Sequence, residues 1–318
     1  MRIKKVTVAG GGVLGSQIAF QSAYSGFEVT IWARNKESAK RVQTKLDKLK
    51  ETYITAIEKM SEDKSEWCSG ISDVKDFNKK DCLKRVEKAE KKIKVETKLE
   101  AALKDADLVI EAISELKKDK LAFYKKIARM MEKKTILVTN SSTLLPSSFA
   151  KATGRPEKYL ALHFANAIWK NNTAEVMSHE GTKEKYFDMV VEFAKDIRMY
   201  PLPINKEKSG YLLNSMLVPF LLSGLDLYAN GISDPKSIDK AWTRGTGAPR
   251  GPFQIMDAVG LMTAYNIVEQ YQKVPGLMNP MLKKMMMPYN YKKMKAILKK
   301  YIDEGKLGKQ AGEGFYKY

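Results

Sequence analysis

The run Gly10-Gly11-Gly12-Val13-Leu14-Gly15 leaves this chain few folds to choose from, because of what flanks it. Val6-Thr7-Val8-Ala9 precedes it as a short apolar strand. Ser16 to Tyr24 continues as a helix burying Leu14, Ile18 and Ala23, and Gly26 closes that helix before a second strand, Phe27 to Trp32. A strand, a glycine turn, a helix and a second strand in this order make the unit that binds a dinucleotide. Gly10 permits the tight turn, Gly12 lets backbone approach a pyrophosphate, and Gly15 lets the helix pack close to the strand. The helix N-terminus is then an anion site. Gly10, Gly12, Val13, Leu14 and Gly15 are the candidate cofactor contacts.

The end of the second strand bears on which dinucleotide binds. An acidic residue about twenty positions on commonly holds the adenosine ribose hydroxyls and repels a 2′-phosphate. Here the strand ends Trp32-Ala33-Arg34-Asn35-Lys36, with no carboxylate. Arg34, with Lys36, can pair with a phosphate, which favours NADP(H) over NAD(H); alternatively Arg34 is a solvated residue stacking on adenine.

Farther on, Leu108-Val109-Ile110-Glu111 is a strand, residues 116–131 a helix and Thr135 to Thr139 another strand. Alternating strands and helices imply a Rossmann-like, doubly wound α/β domain. From residue 36 to about 92 the chain is Lys-rich and mostly helical, which reads as an excursion out of that domain. Beyond Lys206 the pattern is helical throughout, with Asp234-Pro235 as a helix start and Gly245 as a stop. At 318 residues two domains are expected: 1–205, the α/β domain, and 206–318, an all-α domain.

The catalytic candidates lie late in the first domain. Tyr159 to Leu162 reads as a buried strand, so His163 would emerge at a strand's carboxyl end, where open α/β sheets place ligands. Glu175, on the next strand, can reach back to hold the imidazole, the wiring of a general acid/base. The last strand before them opens into Asn140-Ser141-Ser142-Thr143, whose hydroxyls suit either a turn or a substrate oxygen. His179, in a polar turn, reads as a surface residue.

Net charge is +19, part of it in residues 75–98 and part in Lys283, Lys284, Lys292, Lys293, Lys295, Lys299 and Lys300. Acids interleave with the first run at helical spacing, and neither run has the interleaved aromatics of a base-stacking surface, so a nucleic-acid partner is not expected. No metal site is expected either: Cys68 and Cys82 have no ligand spacing and read as free thiols in a reducing, cytoplasmic setting. The apolar run from Tyr211 to Leu227 is interrupted by Asn214, Pro219 and Asp226 and reads as a buried helix, so no membrane association is expected.

Taken in order, GGGVLGSQ (10–17), NSSTLLP (140–146), LHFAN (162–166), NNTAEVM (171–177), GTGAPRGPF (245–253) and GEGFYKY (312–318) resemble the 3-hydroxyacyl-CoA dehydrogenase family over nearly the whole chain. The likeness extends to its bacterial diketoreductase and 3-hydroxybutyryl-CoA dehydrogenase-like branch. The resemblance implies His163 as acid/base, Glu175 as the carboxylate orienting it, and Ser142 as a hydroxyl touching substrate and cofactor. It also implies Asn166 near the nicotinamide, Asn214 on the substrate side, and Glu115 and Lys120 beside the cofactor. A homodimer paired through the helical domain is implied as well. The chain departs from the family pattern at Ala33, in place of the ribose-binding acid, and at Gln310, in place of a lysine. Its Lys-rich excursion and the stretch from Met281 to Lys300 are long for the family.

These readings point to hydride transfer between a nicotinamide cofactor and a 3-hydroxyacyl-CoA or its 3-oxo form. The alternative substrate is a β-keto or diketo acid or ester without CoA. Two non-enzymatic classes stand against them: a cofactor-binding sensor or structural protein, and a nucleic-acid binder.

Overall fold

The computed structural model describes residues 2–272 and 289–318. Of the Lys- and Met-rich stretch, residues 281–288, with Lys283 and Lys284, lie outside the described residues. Chain contacts divide the protein into two compact units between Leu212 and Leu213.

The first unit is built on an eight-stranded sheet of order β3-β2-β1-β4-β5-β6-β7-β8. Its strands are β1 (Lys5–Ala9), β2 (Glu28–Trp32), β3 (Ile93–Glu96), β4 (Leu108–Glu111), β5 (Ile136–Thr139), β6 (Tyr159–Phe164), β7 (Thr173–Met177) and β8 (Tyr200–Ile204). Central strands β4, β5 and β6 are buried along their whole length, as continuous apolar runs in a sheet covered on both faces must be. Pairing is parallel except between β6 and β7, where no helix intervenes and the chain turns straight back. Strand β8 takes the sheet edge, which accommodates Pro201 and Pro203.

The glycines of the turn do separate things. Gly10 has φ of +118°, and a Cβ there would lie 2.4 Å from the Ala112 carbonyl oxygen. A Cβ on Gly15 would lie 2.0 Å from the Gly10 carbonyl oxygen, so α1 (Val13–Tyr24) can sit this close only with glycine at that place. A Cβ on Gly12 would meet nothing within 4 Å.

The Lys-rich segment does not leave the domain. Helices α2 (Lys36–Glu62) and α3 (Lys79–Lys92) turn Val42, Leu46, Leu49, Tyr53, Ile57, Met60 and Val86 into the core that α1 shares. Their lysines are the wet faces of amphipathic helices. Gln21, fully buried on α1, joins this layer: its Nε2 donates to the carbonyls of Gly70 and Ile197, each at 2.8 Å, and its Oε1 accepts from the Tyr53 hydroxyl. The remaining helices of the unit are α4 (Leu99–Leu103), α5 (Lys117–Ile127) and α6 (Glu184–Asp196).

The second unit is helical: α7 (Leu213–Ala229), α8 (Pro235–Thr246), α9 (Pro252–Val259), α10 (Leu261–Gln272) and α11 (Tyr291–Asp303). Asp234 caps α8 as expected, but the helix stops at Gly247 (φ +75°) and not at Gly245. Asp257 organises the C-terminal run, accepting from the N–H groups of Phe315 (2.8 Å) and Tyr316 (2.9 Å) and from the Tyr318 hydroxyl (3.1 Å). Among the described residues no helix is long and apolar enough to cross a membrane.

The two glycines of α1 and its turn should behave oppositely. Gly15→Ala is expected to destabilise the protein by about 2 kcal/mol or more through backbone displacement. Gly12→Ala, with open space, is expected to change stability by less than about 1 kcal/mol. Chemical denaturation of both variants checks the pair.

Candidate active site

His163 lies within β6, one residue before its end, and Glu175 stands directly opposite it on β7. Opposed residues of an antiparallel pair share a face of the sheet, so the two side chains meet without any loop to guide them. His163 Nδ1 lies 2.8 Å from Glu175 Oε2, and the pair is 5% and 2% exposed. An ionised carboxylate can only accept, so Nδ1 carries the proton that bridges them. The other ring nitrogen, Nε2, is 3.2 Å from the Ser142 hydroxyl. Glu175 Oε1 accepts the Leu212 N–H at 2.8 Å, which fixes the carboxylate from its far side.

Ser142 is positioned by Glu115. Glu115 Oε1 accepts from the Ser141 hydroxyl (2.5 Å), the N–H groups of Ser142 and Thr143 (both 3.0 Å) and the Thr143 hydroxyl (3.1 Å). Partial burial works to raise the Glu115 pKa, but these donors and the Lys120 ammonium outweigh it and hold the carboxyl below the usual glutamate range.

Beneath this loop lies a fully satisfied buried carboxylate. Glu111, at the end of β4, accepts from Lys120 Nζ (2.6 Å), the Ile113 N–H (2.9 Å), the Tyr124 hydroxyl (2.5 Å) and the Thr139 hydroxyl (2.7 Å). Burial, then the Glu111 charge, pushes the Tyr124 phenol far above its ordinary value, so it stays a donor. Lys120, only 1% exposed, spends its ammonium between Glu111 and Glu115, the latter at 3.4 Å. That placement makes Lys120 a support beneath the loop and leaves Glu115 as the member nearer solvent.

The other candidates fall in several places. Asn166 is exposed on the turn after β6, whose backbone is pinned by the Ala167 N–H donating to Gln17 Oε1 (2.9 Å), with Ala167 itself at φ +56°. Ala33 is buried, its N–H bonded to the Glu96 carbonyl at 2.9 Å, while Arg34 is exposed just beyond it. Val13 is exposed and Leu14 half-buried at the start of α1, which no side chain caps. Asn214 is the second residue of α7 and belongs to the second unit. His179 is not a surface residue: it is buried, with Nδ1 accepting from the Gly181 N–H (3.0 Å) and Nε2 facing the Pro156 carbonyl (3.1 Å). It shapes a turn.

Three contributors were not read from the sequence. The Tyr211 ring stacks on the His163 imidazole, with centroids 4.6 Å apart and planes 20° from parallel, from a backbone at φ +54°. Asn140 Oδ1 accepts the Phe164 N–H at 3.1 Å and ties the end of β5 to that of β6. Lys45, on α2, donates to the Gly11 carbonyl at 2.9 Å and brings a cation to the glycine turn. Gly210 signals a turn, but no local pattern marks Tyr211, Asn140 or Lys45 for the site.

Comparison with known proteins bears on this geometry. Residues 5–208 match the model for the 3-hydroxyacyl-CoA dehydrogenase NAD binding domain, and residues 210–318 the model for that family's C-terminal domain. The chain is 31% identical over 316 residues to the mitochondrial hydroxyacyl-coenzyme A dehydrogenase of Homo sapiens, covering 99% of this chain and 91% of that one. It is 29% identical to a probable 3-hydroxybutyryl-CoA dehydrogenase of Bacillus subtilis, covering 100% and 98%. A solved diketoreductase structure, described as acting on dicarbonyl compounds, superposes with a TM-score of 0.83 at 44% identity, covering all of both chains.

The Glu115 clamp can be read directly. Glu115→Ala is expected to accelerate amide hydrogen exchange at Ser142 and Thr143 by about tenfold or more. Because the folded pKa is lowered, the clamp is present above the ordinary glutamate range of about 4.3 and is lost as pH falls through the lower folded value. In the wild type, protection at those amides should therefore persist below that range before it collapses.

Proposed function

The chain belongs to the 3-hydroxyacyl-CoA dehydrogenase family, and on that premise we propose that it interconverts a 3-hydroxyacyl-CoA, such as 3-hydroxybutyryl-CoA, and its 3-oxo form, with His163 as acid/base. It is an oxidoreductase acting on a CH–OH group, with a cofactor of the NAD type. The observation that carries the substrate chemistry is the buried His163–Glu175 pair, whose other ring nitrogen meets the Ser142 hydroxyl. The residues at the glycine turn fit the cofactor. Uncapped N–H groups begin α1, and the open space beside Gly12 admits a pyrophosphate.

When bound, the nicotinamide supplies or accepts the hydride. The protein handles the proton. In the reducing direction His163, protonated on both nitrogens, gives its Nε2 proton to the substrate oxygen while Glu175 balances the charge through Nδ1. In the oxidising direction Nε2 takes the proton back. The Ser142 hydroxyl orients the same oxygen, and Glu115 holds Ser142 where it can do so. Asn166 and Asn214 are assigned to the nicotinamide and substrate sides. Burial of the His–Glu pair keeps water from competing for the proton.

A β-keto or diketo compound without CoA is the second reading, favoured by the 44% identity to the diketoreductase. For the cofactor, we propose Arg34 at the adenosine ribose, an assignment that favours NADP(H) over NAD(H). We assign the protein to the cytoplasm, on the strength of two free, buried thiols at Cys68 and Cys82.

The test is an absorbance assay at the nicotinamide band with acetoacetyl-CoA and a simple β-keto ester, each with NADH and NADPH. Thioester turnover supports the main reading, turnover of the ester alone moves the protein to the second, and a preference for NADH removes the role given to Arg34. His163→Ala and Glu175→Gln should each lower kcat by about 10²- to 10⁴-fold with cofactor affinity little changed. Near-wild-type turnover in either would overturn the assignment.

We further propose that two copies pair through the second unit. Phe220, Leu227, Ile238, Trp242 and Pro252 line an apolar groove of about 430 Å³ there, and Met216 and Ile232 are exposed on the same unit. Sedimentation should give a dimer for the wild type and a monomer for Trp242→Glu; a wild-type monomer would exclude the pairing.

A further inference from the structure

A second cavity, of about 650 Å³, opens in the first unit among the end of α1, residues 69–76, α3 and the turn from α6 to β8. None of the residues assigned to catalysis or cofactor lines it. Its floor holds buried Tyr24 and Met199 with half-buried Ser25, Ser69, Arg85, Asn172 and Arg198. Exposed Asp73, Asp76, Lys195, Asp196 and Tyr200 form the rim.

Three independent features of the floor need an explanation. First, Arg198 has φ of +64°. It stands just past α6, where the Arg198 N–H bonds the Lys195 carbonyl (2.8 Å) and the Met199 N–H the Ala194 carbonyl (2.9 Å). Glycine fills this left-handed position without strain, whereas a side chain is held there at a cost. Second, neither Arg85 nor Arg198 has a carboxylate within ion-pair distance among the described residues, whereas Lys195 on the rim is paired with Glu192 at 3.1 Å. Third, the Ser25 hydroxyl is buried without a hydrogen-bond partner. Donors converge on this floor and lack an acceptor.

We propose that this cavity binds a small phosphomonoester, its phosphoryl group held between Arg85 and Arg198 with the Ser25 and Ser69 hydroxyls completing the shell. A dianion with three terminal oxygens matches two forked guanidinium groups better than a single carboxylate does. The exposed carboxylates of Asp73, Asp76 and Asp196 lie in water, where screening limits their repulsion of a group seated on the floor. They can accept hydroxyls from the body of the ligand and repel extended polyanions. The ligand class is therefore a phosphorylated, hydroxyl-bearing metabolite.

Thermal unfolding with glycerol 3-phosphate, against sodium chloride at matched ionic strength, tests the site. At about a hundredfold excess over Kd the wild type should gain roughly 5 °C in Tm. Arg198→Gly should start with a Tm at or above the wild type, because strain is relieved, and should lose the response. Arg85→Met should also lose it, whatever its own Tm. Arg34→Ala, altered beside the glycine turn, should keep it. No gain in the wild type over chloride, or equal gains in the Arg85 and Arg198 variants, would overturn the proposal.

Discussion

The acid/base pair of the first unit depends on a single reversal of strand direction. With β6 parallel to β5 and β7 antiparallel to β6, His163 and Glu175 become opposed residues on one face. Two ionisable groups buried this deeply would be costly to desolvate if their geometry were loose, because the interior repays the loss of water only through well-made hydrogen bonds. Here each polar atom is met: Nδ1 by the carboxylate, Oε1 by the Leu212 N–H, and Nε2 by Ser142. A slip of one residue in the β6–β7 register would turn the two side chains to opposite faces of the sheet. In this register apolar neighbours, Leu162 with Val176 and Phe164 with Ala174, flank the pair and are all buried.

The same logic operates one layer down. Glu111 is buried at the end of β4 and survives there because four donors surround it, two of which, Lys120 and Tyr124, come from one helix. Lys120 then bridges to Glu115, and Glu115 fixes the backbone of the Ser142 loop. The chain of contacts runs from a buried central strand to the loop that carries Ser142. A serine on a loop thereby acquires the placement of a residue on a strand.

Much of this was legible in the sequence, and the boundary of legibility has physical causes. The glycine turn, the alternating elements and the helical C-terminal part are local patterns, and each appears in the structure where the residues place it. His163 and Glu175 could be nominated because both end or begin apolar runs. Tyr211 could not, since its stacking on His163 depends on two left-handed residues after β8 and no periodicity encodes that. His179 was misread for the opposite reason: a polar turn looks solvated, yet the Gly181 N–H and the Pro156 carbonyl satisfy its ring inside the protein. The excursion was misread because lysine density hides a sparse apolar stripe. Val42, Leu46, Leu49, Tyr53 and Ile57 recur at helical spacing through a segment that averages as polar.

That stripe also bears on the meaning of the +19 net charge. The lysines of α2 and α3 are the outer faces of core helices, and Lys50 is paired across them with Glu90. Charge of this kind is spread over a solvated surface and screened within a Debye length of about 10 Å. The cations placed to act on a bound anion are few and differently situated. Lys45 is drawn in against the glycine turn, and Arg85 and Arg198 are half-buried on a cavity floor. Partial burial lowers the local dielectric and removes competing water, so an anion reaching these groups would be held more strongly than one at an exposed lysine.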